Sequence, residues 1–199
     1  MKIVLVGASG DVGQAALAEL SQRHDVVSVG RSTGDVKVDI SDSGSIEAMY
    51  DEIGVFDALV STAGSVCFAP LSEQTEASLK MGLENKVMGQ INLVLSGLGR
   101  ISDNGSFTLT SGVLDRDPVV WGTGAALANG ALAGFATSAA IETPRGLRIN
   151  VVSPGLLDVS EQRYGALFPG HERVSSDRVG RAFAKCVEGA ITGQVVIVQ

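Results

Sequence analysis

The chain has 199 residues, 45% of them hydrophobic, with 25 glycines, few aromatics and a formal net charge of −7. That length supports one domain with an ample core, and the composition suits a compact α/β domain with many tight turns. The acidic balance argues against nucleic acid and anionic membrane surfaces as partners, because both reward basic patches.

Cys67 and Cys186 form no metal-like cluster and read as reduced thiols; no other residue spacing suggests a metal site. The apolar run in MKIVLVGASG is too short for a secretory leader. No stretch reaches the roughly 18 apolar residues of a membrane span. A soluble cytoplasmic protein is expected.

In chain order, Ile3–Val6 predicts a buried strand and Gln14–Ser21 a helix. Strands are predicted at Val26–Val29 and Val36–Asp39, a helix at Ser43–Ile53 and a strand at Ala58–Ser61. After Pro70 a long helix is predicted from Glu76 to Leu98, then a strand at Ser106–Thr110. The Ala-rich run Thr123–Glu142 predicts another helix, Leu147–Val152 a strand ended by Pro154, Asp177–Gly189 a helix and Val195–Val198 a last strand. Continuous apolar strands alternating with helices predict a single doubly wound Rossmann-type domain, with a parallel sheet of about seven strands covered on both faces.

GASGDVG, Gly7 to Gly13, follows a strand and opens a helix. A turn without side chains brings backbone close to a pyrophosphate, and the helix N-terminus offers it free N–H groups. Gly7, Ser9, Gly10, Asp11 and Val12 are thus candidate cofactor contacts. A carboxylate at Asp11 would repel a pyrophosphate, so Asp11 is expected to cap the helix instead. The second strand ends in VGRSTG, with Arg31 and Ser32 where a site preferring NAD carries an acidic residue. A guanidinium there suits a 2′-phosphate, so NADP(H) is expected ahead of NAD(H), with NAD still possible.

The ordered set of segments resembles the short-chain dehydrogenase/reductase family. GASGDVG resembles its cofactor turn, and VDISD, with Asp39 and Ile40, its adenine-side segment. STAG, with Thr62, Ala63 and Gly64, resembles the segment after the family's fourth strand. ENK around Asn85 sits near the family's active-site Asn, and LTSG places Ser111 where the catalytic Ser is carried. RINVVSPG, leading through Pro154 and Gly155 to Leu156, resembles the segment beside the nicotinamide. The resemblance implies catalytic roles for Ser111 and Asn85, and assembly as a homodimer or homotetramer through the two long helices.

The family's Tyr-x-x-x-Lys pair is missing. Alignment puts Ala125 at the Tyr position and Asn129 at the Lys position, and Trp121 to Phe135 contains neither residue type. Asn129 can still bond a ribose hydroxyl. A positioned proton donor is worth about 10²–10⁴-fold. Tyr164, in the segment implied to cover the substrate, is one substitute, or it is a packing residue. His171 reads as a solvated loop residue, His24 as exposed, Tyr50 as helix-surface packing, and Asp115, Arg116 and Asp117 as loop charges or pocket lining. Trp121 either walls the pocket or packs in the core.

Three functions compete: an NADP(H)-dependent oxidoreductase of carbonyl or alcohol substrates with an altered proton route, an inactive nucleotide-binding sensor or interaction protein, and a purely structural oligomer subunit.

Overall fold

The computed structural model describes residues 1–199. Its first strand, β1 (Lys2–Val6), buries four successive side chains from Ile3 to Val6, as a strand with helices on both sides must. Helix α1 (Asp11–Leu20) leads to β2 (Asp25–Gly30), then β3 (Val36–Lys37), α2 (Ser43–Ile53) and β4 (Phe56–Ser61). Next come α3 (Glu76–Gly82), a π-helical stretch (Leu83–Met88) and α4 (Gly89–Gly97), followed by β5 (Ile101–Thr110), α5 (Thr123–Ala139) and β6 (Arg148–Pro154). A small parallel pair, β7 (Leu156–Leu157) and β8 (Arg173–Val174), encloses the short helix α6 (Glu161–Tyr164). Helix α7 (Ser176–Glu188) and β9 (Val195–Val198) complete the chain.

Seven strands form one parallel sheet in the order β3-β2-β1-β4-β5-β6-β9. The order reverses at β1, where the crevice at the carboxyl ends of the strands is the natural ligand site. One core layer packs α2, α4 and α5 against the sheet; the other packs α1 and α7. Close approach sets the second layer: a Cβ added at Gly180 of α7 would come 2.6 Å from the Ala15 carbonyl oxygen of α1.

Three features differ from the sequence expectation. The helix expected over Glu76 to Leu98 is interrupted by the π-helical stretch. β3 stops at Lys37, because Asp39 turns to accept from Ser41. Tyr50 is fully buried rather than a surface residue: its hydroxyl donates to the Leu93 carbonyl at 2.6 Å and its ring stacks on Phe56. No helix is long and apolar enough to cross a membrane.

Candidate active site

The turn after β1 is built by exclusion of side chains. Gly7 has φ +89°, and a Cβ there would come 2.7 Å from Thr62 Oγ1. A Cβ at Gly13 would overlap the Gly7 carbonyl oxygen. Thr62 braces the turn, its hydroxyl donating to the carbonyls of Val6 and Gly7 at 3.1 and 3.0 Å. Gly10 is the N-cap of α1 and makes no side-chain cap bond.

Asp11 therefore does not cap the helix as expected. It occupies the first helical position, and its carboxylate accepts from Ser160 Oγ at 2.6 Å and faces Arg163 at 3.5 Å. The acid is turned onto the segment between β7 and β8, leaving the helix start uncapped.

At the end of β2, Arg31 is exposed and pairs with Asp39 at 2.7 Å. The Asp39 carboxyl is held below its usual range, chiefly by the Ser41 hydroxyl, with Arg31 adding to the effect. Lys37 reaches the Ser32 carbonyl at 2.7 Å, adding a second cation to this loop. The Ile40 side chain is buried against Gly89 of α4.

A cleft of about 450 Å³ lies at the carboxyl ends of the strands. It brings together Val12, Gly64, Ser111, Asn129, Pro154, Gly155 and Leu156, with Ala125 and Tyr164 also on its wall. Ser111 is only 5% exposed, and its Oγ has no hydrogen-bond partner. Asn85 lies outside this lining: its Oδ1 accepts from the Ser65 amide at 2.7 Å and so fixes the loop after β4.

The residue that sequence reasoning missed is Lys86, next to Asn85. Its Nζ donates to Asn129 Oδ1 at 2.7 Å and to the Ser111 carbonyl at 3.0 Å. Its stem lies against Gly64, where a Cβ would come 2.7 Å from Lys86 Cγ; φ there is +140°. Burial lowers its pKa to about 8, opposed by the charge of Asp115. A signal existed in the sequence. Lys86, Gln90 and Leu93 lie at i, i+4 and i+7, one face of a helix, and the last two are fully buried.

The other candidates scatter. Arg116 is tied to Ser153 Oγ at 2.8 Å and to Asp115 at 3.0 Å, and His171 meets Asp117 at 3.2 Å. The His24 side chain is largely buried against Glu188 at 2.9 Å, not exposed. Trp121 is 48% exposed, with φ +68°, and belongs to neither cleft nor core.

A turn that admits no side chain at Gly7 or Gly13, an uncapped helix start and a buried hydroxyl without a partner suit an extended dinucleotide ending near Ser111. Comparison with known proteins agrees. A family model described as enoyl-(acyl carrier protein) reductase, adh_short_C2, matches residues 1–185. An uncharacterised oxidoreductase of Methylorubrum extorquens is 29% identical over 179 residues, 85% of this chain and 68% of that protein. The crystal structure of the protein lin1944 from Listeria innocua superposes with a TM-score of 0.98 at 48% identity, covering both chains fully. A small-chain dehydrogenase in complex with NADPH superposes with a TM-score of 0.86 at 26% identity, over 100% of this chain and 96% of that one. The chain belongs to the short-chain dehydrogenase/reductase family of oxidoreductases.

Proposed function

We propose that the protein is an NADP(H)-dependent oxidoreductase that interconverts a small apolar carbonyl compound and its alcohol. The observation that carries this reading is the continuity of the site, from the glycine turn and uncapped α1 to the cleft holding Ser111, Asn129 and Lys86. The nicotinamide coenzyme supplies the hydride. The start of α1 offers N–H groups and a positive dipole end to the pyrophosphate. Arg31 and Lys37 give the loop after β2 the charge that a 2′-phosphate needs, and the NADPH complex of a relative supports that choice.

Apolar side chains such as Val66, Phe68, Leu114 and Phe168 line the cleft and exclude water from a substrate's body. The unpartnered Ser111 hydroxyl is free to donate to a substrate oxygen. A homodimer or homotetramer is part of the same proposal. It is supported by Leu95 of α4 and Leu127 of α5, which are 55% and 44% exposed. Sedimentation as a monomer at micromolar concentration would refute that part.

The test is thermal stabilisation by NADPH, followed by loss of reduced-nicotinamide absorbance with a panel of aliphatic and aromatic aldehydes and ketones. Stabilisation with turnover supports the reading. Stabilisation without turnover on any carbonyl favours a nucleotide-sensing protein, a reading to which the buried Ala125 at the expected Tyr position lends weight.

A further inference from the structure

We propose that Lys86 is the proton donor of this site, delivering an Nζ proton to the oxygen of the carbonyl substrate. The inference deepens the reductase reading above and rests on it.

Lys86 and Tyr164 are the only titratable side chains on the cleft wall apart from hydroxyls of serine. Tyr164 sits on the outer segment, 42% exposed, with the Arg163 guanidinium 5.6 Å from its ring centre. Lys86 instead has its head anchored at the cleft floor. An ammonium has three N–H groups. The Ser111 carbonyl and Asn129 Oδ1 take two, which leaves one for a ligand.

Both anchors are neutral. They fix the ammonium without the carboxylate partner that would damp its acidity. Asn129 cannot turn away, because its Nδ2 donates to the Gly112 carbonyl at 3.1 Å. No charged side chain of α5 or of the loop after β4 lines the cleft. The charge felt from the loop after β5 is Asp115, itself paired with Arg116. Burial places Lys86 at about 8, close to working pH, where general acids are most effective.

The step balances simply. As the carbonyl carbon accepts a hydride from the reduced coenzyme, the C=O π pair moves onto oxygen and takes a proton from Lys86 Nζ. The alcohol and oxidised coenzyme form, Lys86 is left as a neutral amine, and a solvent proton restores it. The Ser111 hydroxyl holds the same oxygen. In the reverse direction the neutral amine is the base.

Two measurements test this. In protein labelled with ¹⁵N-lysine, the Lys86 Nζ resonance, assigned by its loss in Lys86→Met, is followed against pH with and without NADP⁺. The kcat–pH profile for reduction of the best carbonyl substrate of that panel is then compared among wild type, Lys86→Met and Lys86→Arg. Titration near 8, a kcat that falls above that pH, and a loss of about 10²–10⁴-fold in both variants support the donor role. Titration at the ordinary lysine value, or variants with unchanged kcat and only weakened NADPH binding, overturn it. Failure of the wild type to bind NADPH overturns the reductase reading and the donor role with it. That failure is seen in thermal stabilisation, not in the lysine titration, so the two failures are distinguishable. Circular dichroism checks that the variants fold.

Discussion

Ser160 Oγ donates to the Asp11 carboxylate at 2.6 Å, joining residues 149 positions apart in the chain. This bond, with Arg163 3.5 Å from the same carboxylate, latches the segment between β7 and β8 onto the start of α1. It ties the outer wall of the cleft, where Ser160 and Tyr164 lie, to the first turn of α1. Asp11→Ala removes both contacts. We expect faster hydrogen exchange over residues 158–168, quicker tryptic cleavage at Arg163, and a stability loss of about 1 kcal/mol in urea unfolding. Unchanged exchange in this segment would show that the latch holds nothing.

Gly13→Ala forces a methyl group into the Gly7 carbonyl oxygen. Neither partner can yield, since Gly7 is itself pinned by Thr62. The variant should lose about 1–3 kcal/mol of stability and its response to NADPH in thermal melts. Retention of full NADPH stabilisation would show that the turn is not the coenzyme's seat.

Arg31→Glu sets a second carboxylate beside Asp39 in place of an ion pair. Expected is an NADPH affinity lower by at least about tenfold, roughly 1.4 kcal/mol, with a much smaller effect on NADH. Titration calorimetry with both coenzymes decides it; equal losses would refute the 2′-phosphate role.

Lys86 also leaves a mark on stability. Its folded-state pKa is lowered to about 8 from an ordinary 10.5. Below the lower value it is charged in both states, so the folded protein bears the full cost of burying the ammonium. Between the two values the unfolded chain holds a proton that the folded chain has released, and stability rises with pH, by at most about 1.4 kcal/mol per unit. Urea unfolding across this window should show that rise in wild type relative to Lys86→Met. A flat difference would place the ammonium in solvent.

The sheet was legible because strands such as Ile3–Val6 and Val195–Val198 are continuous apolar runs that alternate with longer helical stretches, the pattern of a sheet covered on both faces. The glycine turn was legible because Gly7 and Gly13 are needed for close contacts that allow no side chain. Lys86 was hidden because its neighbour Asn85 is the residue that carries the family resemblance. The spacing of Lys86, Gln90 and Leu93 was its signal, while the π-helical stretch that carries it leaves no composition signature. The role of Asp11 was illegible for another reason: Ser160 and Arg163 lie far along the chain, so a local capping rule lost to a tertiary contact.

The seat that Gly180 offers to Ala15 has a temporal side. α1 is made before α7, on which it leans, with strands β2 to β8 in between. Until then the flank of α1 that α7 covers stays open, and only the sheet holds the helix. In a nascent chain α1 thus gains its full packing only once α7 has been made.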